Sequence, residues 1–313
     1  MKREMKMQTE KVVIIGSGPA GLAAALYTGR AGLKPLVISG LQLGGQISLT
    51  YDVDNYLGFP EGTTGPDLIE LMTKHAAKFD AAIVFEEVTE VSLLKGSPFL
   101  VKTSGNEYHA ESIVIATGAS PKRLKVPGEE KYIGHGISFC ATCDGFFFRD
   151  KEVLVIGGGD SAIEESLFLT RFAKRIRVVH RRDTLRAGEQ LKKAAYEHEK
   201  IDFVWDSVVE EIVGDDKVTG ARVKNLKTGE KSILEAEGVF IFVGHYPNSR
   251  LFKGQLKMSD EGYVITDEKM MTSVPGVFAA GEIQDRLYRQ IATSVGQGSG
   301  AGIMTERWLR ERK

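Results

Sequence analysis

An α/β fold built from two strand–turn–helix units, one carried inside the other, is predicted by three features of this 313-residue sequence. A short apolar strand, Lys11 to Ile15, runs straight into Gly16, Gly18 and Gly21 at G-x-G-x-x-G spacing, with a helix from Ala23 to Arg30 behind it. The same order returns at "EVLVIGGGDSAIEE", where a strand over 153–156 meets Gly157, Gly159 and Ala162. The last stretch, "VPGVFAAGEIQDRLYRQIATSVGQGSGAGIMTERWL", reads as a short strand, a Gly-Glu turn and a long helix, and it matches neither opening. The economical arrangement interrupts the first unit near "ATGASP", inserts the second whole, and lets the last segment complete the first. This gives an outer domain of 1–118 and 248–313 and an inner domain of 119–247. Pro121, Pro127 and Pro247 suit the two connections, because proline limits the continuation of helix and strand. The length allows about two domains at roughly 100–200 residues each.

In each turn the glycines answer a physical demand. Gly16 makes the tight turn, Gly18 leaves the backbone bare where a pyrophosphate approaches, and Gly21 lets helix and strand pack closely. Pro19 and Ala20 complete the first turn. The helix N-terminus then faces the anion, worth roughly 0.3–1 kcal/mol. Two Rossmann-like dinucleotide-binding domains are therefore expected, and Asp160 and Ser161 stand at the second turn. A third strand, "KRIRVVHRRDTLR", follows at about the distance where such a fold contacts the adenosine ribose. An Asp or Glu there would accept a ribose hydroxyl. His180, Arg181, Arg182 and Arg186 instead suit a 2′-phosphate, at roughly 1.5–3 kcal/mol per charge-assisted bond, so the second nucleotide reads as NADPH. The corresponding strand of the first unit, "KPLVISG", ends in Ser39 and Gly40 and offers no ribose acid. The plain alternatives are a Gly-rich turn and a solvated basic strand end.

Lys and Arg number 41 against 42 Asp and Glu, a net charge of -1, so no basic field exists to draw nucleic acid or an anionic membrane. The segment "MKREMKMQTE" lacks the apolar core of a signal peptide, and no apolar run reaches the roughly 18–20 residues of a membrane span. A cytosolic protein is expected. Both cysteines fall in "SFCATCDGFFF". A close pair can be a structural disulfide, half of a metal site or a redox dithiol. Zinc wants four ligands, and two Cys with six scattered His do not supply a recognisable set, so no metal is expected. A cytosolic setting disfavours a structural disulfide. A buried, inert pair stays open. A redox pair fits best, because Cys-x-x-Cys can bring one thiol from about 8.5 towards 7 while the second waits to resolve a mixed disulfide.

Along the chain, "IIGSGPAG", "GGQ", "ATGA", "CATCDG", "GGGDSAIEE", "HRR", "VGHYPN", "FAAGE" and "YRQ" together resemble the low-molecular-weight thioredoxin reductases. The likeness spans nearly the whole chain. It implies electron flow from NADPH through FAD to the Cys140–Cys143 disulfide and on to thioredoxin, with the NADPH domain inserted into the FAD domain. It places FAD against Gly16, Gly18, Pro19, Ala20, Gly21, Gly45, Gln46, Asn55, Thr117 and Gly118. Gly281 and Glu282 fall beside the ribityl chain, and Arg289 and Gln290 near the flavin ring. Cys143 faces the flavin, Cys140 attacks the partner protein, and Asp144 is the candidate acid/base for the flavin-proximal thiol, its plain alternative being a turn-capping residue. Domain rotation between half-reactions and a homodimer are also implied. The family usually has Gly-Asp where this chain has Gly281-Glu282, one methylene longer, a difference expected to be absorbed by the turn. Competing expectations are another donor (ferredoxin or NADH), another acceptor (a glutaredoxin-like or peroxiredoxin-linked protein), and a redox sensor without turnover. The run Phe146 to Phe148 is expected in the core.

Overall fold

The computed structural model describes residues 7–50 and 53–312. The chain divides into two compact units, Met1–Ser120 with Tyr246–Lys313, and Pro121–His245.

The outer unit opens with strand β1 (Met7–Ile15), helix α1 (Pro19–Arg30) and strand β2 (Leu36–Ile38). Helix α2 (Gly65–Ala77) then leads to β3 (Ala82–Val84), and β4 (Val88–Ser92), β5 (Phe99–Thr103) and β6 (Glu107–Ile115) follow. The sheet order is β3-β2-β1-β6-β5-β4, parallel through β6 and antiparallel beyond it. The chain winds to one side of β1 and then returns to the other, so the order reverses at β1. In an open parallel sheet that reversal leaves a ligand crevice at the carboxyl end of the central strand. Val12 and Ile14 pack with Ala20 and Ala24 of α1, while Val13 and Ile15 face Phe99 and Ile113 on the opposite side. Burial on both faces explains why β1 reads as a continuous apolar run without alternation.

Strand β7 (Ala119–Pro121) leads out of the outer unit. The inner unit contains β8 (Ile137–Ser138), the single turn α3 (Ala141–Asp144), β9 (Glu152–Ile156), α4 (Asp160–Leu169), β10 (Arg175–Val179), α5 (Glu189–Tyr196) and β11 (Ile201–Val204). An antiparallel meander follows, β12 (Ser207–Gly214), β13 (Val218–Asn225) and β14 (Lys231–Glu235), before β15 (Gly238–Ile241) completes a parallel sheet of order β11-β10-β9-β15-β8. Val209, Ile212, Ala221 and Val223 of the meander join Leu154 and Ile156 in one buried cluster. The meander therefore covers one face of the inner sheet, and Ala162, Ile163 and Leu169 of α4 lie with Val153 and Val155 on the other.

Strand β16 (His245–Pro247) carries the chain back, and β17 (Val277–Ala279) pairs with Ile113–Ile115 at the end of β6. Helix α6 (Ile291–Glu311) closes the outer unit against α1. Its glycines explain how close that approach is. A Cβ on Gly298 would stand 2.1 Å from Ala20 O, and one on Gly302 would stand 2.9 Å from Ala24 O. Among the described residues no helix is long and apolar enough to cross a membrane.

Candidate active site

Strand β1 ends at Ile15 and the chain turns at Gly16, whose φ of +110° belongs to glycine. A Cβ there would lie 2.2 Å from Ala116 O, and one on Gly21 would lie 2.0 Å from Gly16 O. Gly18 is different, since its Cβ would meet only Gly44 O, at 3.9 Å. Gly18 caps α1 without a side-chain hydrogen bond and Pro19 takes the first helical position, so the first amides of the helix face an open cradle. Ala20 is buried beneath it. The "GGQ" turn lies over this cradle: a Cβ on Gly45 would stand 3.8 Å from Gly18 Cα, and the Gly44 amide donates to Ser17 Oγ at 3.1 Å. Gln46 is exposed at the same turn. Bare amides, a helix N-terminus and space for an anion fit the pyrophosphate of a dinucleotide.

The residues after β6 and β17 meet the same crevice. Gly118 has φ +67°, and Asn248 fastens its turn from the far end of the sequence. The Asn248 amide donates to Gly118 O at 2.9 Å, its Nδ2 to Thr117 O at 2.9 Å, and Thr117 Oγ1 donates to Asn248 O at 3.0 Å. Gly281, at φ +79°, packs on α1, where its Cβ would stand 2.8 Å from that of Ala20. Its amide donates to Gln297 Oε1 at 2.9 Å, and Gln297 Nε2 donates to Asp285 Oδ2 at 3.3 Å. Asp285 is buried and its Oδ1 accepts from the amides of Leu287 and Tyr288 at 2.9 and 3.0 Å. That post shapes the loop which delivers Arg289 and Gln290. Asn55 Nδ2 donates to Gln290 Oε1 at 3.2 Å, joining two predicted residues that lie far apart in the chain. Glu282 is partly buried, and burial pushes its carboxyl up to about 7, with Arg289 pulling it down and Asp285 pushing it up.

In the inner unit β9 ends at Gly157, where a Cβ would lie 2.6 Å from Phe242 O and 2.7 Å from the buried Ala162 Cβ. Gly159 caps α4, Ser161 is exposed in its first turn, and Asp160 Oδ1 accepts the Gly188 amide at 2.8 Å. Asp160 thus ties the following loop to the turn. The Arg186 amide donates to Gly158 O at 2.7 Å, and its Nη2 comes to 4.0 Å from where a Cβ on Gly159 would stand. Arg181 and Arg182 are exposed on the same loop, so one guanidinium reaches the turn and two more stand on the segment that carries it, a basic set that fits a phosphorylated ribose. His180 is used differently. It is 5% exposed, its Nδ1 lying 2.3 Å from where a Cβ on Gly158 would stand, and its ring meets Trp205 edge-on. Burial, then the charges of Arg186, Arg182 and Arg181, hold its pKa down, so it stands neutral under the turn and adds no charge for a phosphate.

Cys140 and Cys143 form a disulfide across α3, with Cα atoms 5.3 Å apart. The hydrogen bonds that hold this turn include the Cys140 amide to Ser138 Oγ at 3.1 Å, the Ala141 amide to Glu165 Oε2 at 2.8 Å, and the Cys143 amide to Cys140 Sγ at 3.2 Å. Asp144 follows directly, partly buried, its amide donating to Cys140 O at 3.2 Å. The expected aromatic core run is split, since Phe148 is buried while Phe146 is 56% exposed. No cluster of metal-binding side chains occurs among the described residues. The sequence does not single out Ser17, Asn248, Gln297 or Glu165 as functional, although Ser17 lies inside "IIGSGPAG", Asn248 inside "VGHYPN" and Glu165 inside "GGGDSAIEE".

Comparison with known proteins decides the class. The family model for pyridine nucleotide-disulphide oxidoreductases matches residues 10–298. The chain belongs to the pyridine nucleotide-disulphide oxidoreductase family. Among its relatives a thioredoxin reductase of Rickettsia conorii is 51% identical over 97% of this chain and 99% of its own, and one of Mycolicibacterium smegmatis is 48% identical over 96% and 97%. The crystal structure of thioredoxin reductase from Streptococcus pyogenes superposes with a TM-score of 0.93 at 43% identity, over 97% of this chain and 99% of that one. As a pyridine nucleotide-disulphide oxidoreductase of this kind, the chain is a flavoenzyme that works with FAD and NADPH.

Proposed function

We propose that this chain is an NADPH-dependent thioredoxin-disulfide reductase whose outer unit holds FAD and whose inner unit holds NADPH and the dithiol. The observation that carries the reading is the Cys140–Cys143 disulfide in the same unit as an arginine-flanked nucleotide turn, with a second nucleotide turn in the other unit. In the outer unit, Gly16, Gly18, Pro19, Ala20 and Gly21 present the α1 amides to the FAD pyrophosphate, with Gly45 and Gln46 over it. Asn55, Thr117, Gly118, Gly281, Glu282, Arg289 and Gln290 line the remainder. In the inner unit, Gly157, Gly159, Ser161 and Ala162 form the NADPH turn, braced by Asp160 and His180, while Arg181, Arg182 and Arg186 bind the 2′-phosphate. When bound, FAD supplies the relay that takes a hydride from NADPH and passes an electron pair to the disulfide.

Reducing the disulfide breaks one S–S bond and takes up two electrons and two protons, and Asp144 delivers one of those protons to the Cys143 sulfur. Cys140 then attacks one sulfur of the oxidised partner as its thiolate, releasing the other partner sulfur, which is protonated. Cys143 in turn loses its proton and attacks the Cys140 sulfur, which frees the reduced partner and restores the intramolecular disulfide. We further propose a cytosolic setting, where thiols are kept reduced, and a homodimer, the commonest symmetric assembly.

The experiment is NADPH consumption by the purified protein with oxidised thioredoxin as sole acceptor, beside Cys143→Ser. The expected result is repeated turnover in the native protein and loss of at least about 10³-fold in the variant, the scale of removing a reacting group. Absence of turnover with NADPH, or full turnover in the variant, would overturn the reading.

A further inference from the structure

Glu165 stands on α4, in the turn of helix that follows the glycine-rich nucleotide turn, and its Oε2 accepts the amide of Ala141 at 2.8 Å. Ala141 directly follows Cys140 and is fully buried. The bond therefore fixes the peptide plane on the carboxyl side of Cys140 and ties the dithiol turn to the helix whose N-terminus faces the nucleotide. Ser138 Oγ, Cys140 Sγ and Cys140 O, which also accept hydrogen bonds at this turn, carry no formal charge. Glu165 does, and a hydrogen bond to an ionised acceptor is roughly twice as strong as a neutral one. Its second consequence is electrostatic. A carboxylate anchored to the residue next to a thiol disfavours the thiolate, because two like charges would then stand one residue apart in a partly dehydrated space. Asp144 on the turn itself and Glu164 on α4 carry the same sign. Arg123, whose guanidinium lies 4.6 Å above the Phe139 ring, and Arg149 and Arg171, stacked on Phe146 and Phe168, carry the opposite one.

We infer that Glu165 is a positioning residue that couples the nucleotide-binding helix to the dithiol and, through its charge, keeps the Cys140 thiol less acidic and the dithiol a stronger reductant. The direction follows from linkage. Whatever destabilises the Cys140 thiolate destabilises the reduced pair relative to the disulfide, so electrons leave it more readily. The inference rests on Cys140–Cys143 being the redox centre.

The test compares Glu165→Gln, which keeps an acceptor for the Ala141 amide and removes the charge, with Glu165→Ala, which removes both, each as holoenzyme. In a Cys143→Ser background Cys140 is the sole thiol, and its alkylation by iodoacetamide is followed against pH. In the intact pair, the dithiol–disulfide ratio is read in a dithiothreitol redox buffer. Glu165→Gln is expected to raise the Cys140 alkylation rate at neutral pH by about tenfold, as a tenfold larger thiolate fraction requires. At pH well above the Cys140 pKa the same tenfold change in acidity is expected to move the redox equilibrium about tenfold towards the dithiol, or about 30 mV. An alkylation profile and an equilibrium in Glu165→Gln that coincide with those of the native protein would overturn the inference, whether or not Glu165→Ala differs, because the bond alone would then account for the residue. Both readings use chemical reduction. Failure of NADPH to drive turnover would instead count against the proposed function and leave the role of Glu165 decided on its own.

Discussion

At Glu282, burial raises a carboxyl from 4.5 to about 7, and Asp285 adds to the rise that Arg289 opposes. The sign of its effect on folding follows from proton counting. Between the unfolded and folded values the folded protein binds the extra proton and the unfolded chain does not, so stability is fully present below about 4.5 and is lost as pH rises through about 7. FAD-free Glu282→Gln is therefore expected to match the native protein below pH 4.5 and to melt at higher temperature at pH 8, by roughly 2–4 °C for each kcal/mol recovered. Scanning calorimetry of the FAD-free protein at both pH values checks this, and a native protein that gains stability from pH 5 to pH 8 relative to the variant would sink it. The same residue shows what a sequence discloses at this scale. The pattern Gly-Glu locates Glu282 at a turn, but the cause of its altered acidity is three-dimensional. By contrast the three glycines of the first turn are legible because their spacing is a contiguous pattern, even though the atom that excludes a side chain at Gly16, Ala116 O, lies far along the chain. Asn248, Gln297 and Glu165 are not, because their partners, the Thr117 carbonyl and the Gly281 and Ala141 amides, lie at least 16 residues away and are brought to them only by the fold. The spacing puts His180 in the basic segment with Arg181 and Arg182, but whether a histidine faces a phosphate or lies beneath a turn depends on burial, which the spacing does not encode.

Helix α6 is legible as a long helix, yet its four glycines, Gly296, Gly298, Gly300 and Gly302, contradict helix propensity, and for Gly298 and Gly302 the reason lies in α1. Each mid-helix glycine costs roughly 0.5–1 kcal/mol against alanine. At Gly298 that cost is offset by contact with the backbone of Ala20, which also brings Gln297 to the Gly281 amide. At Gly296 nothing lies within 4 Å of the position a Cβ would take. The two positions should respond with opposite signs. Gly298→Ala is expected to destabilise by about 1–3 kcal/mol through overpacking, and to lower the FAD content of the purified protein because the Gly281 turn shifts. Gly296→Ala should stabilise by about 0.5–1 kcal/mol and leave FAD content unchanged. Urea denaturation and flavin absorbance per chain measure both, and equal effects at the two sites would refute the account. The β12–β14 meander is the element least legible in the sequence. Its buried valines and isoleucine alternate with half-buried charge in "VVEEIV" and "ARVKN", a two-residue period, but the register shifts between Val209 and Glu211 and between Val213 and Gly214 break that period. Interrupted alternation over such short strands is hard to separate from a loop.

For the whole molecule, the order of elements places the two electron-handling partners of the flavin in one unit. Both the arginine-flanked turn and the Cys140–Cys143 turn belong to Pro121–His245, whereas the first dinucleotide turn belongs to the unit that begins and ends the chain. We propose that these units change their arrangement between half-reactions, so that the flavin is reduced in one and oxidised in the other. The chain supplies two connections between them, and each is fastened on both sides. Asn248 bonds Thr117 and Gly118 within the outer unit, and the Lys122 amide donates to Gly244 O at 2.9 Å within the inner one. Paired connections fastened in this way suit a rigid-body rotation about two short segments more than unfolding of either unit. A covalent lock separates the steps. One engineered cysteine in each unit, joined by a short bis-maleimide while the native pair is protected as its disulfide, should leave one half-reaction rapid and stop repeated turnover with thioredoxin by about 10²-fold or more, the size of loss that misplacement alone produces. Loss of the flavin absorbance on adding NADPH reports the first half-reaction, and thiol release from the chemically reduced protein to oxidised thioredoxin reports the second. Locks at several pairs of positions should fall into two classes, each retaining a different half. A set of locked proteins that all kept full turnover would show that one arrangement serves both steps.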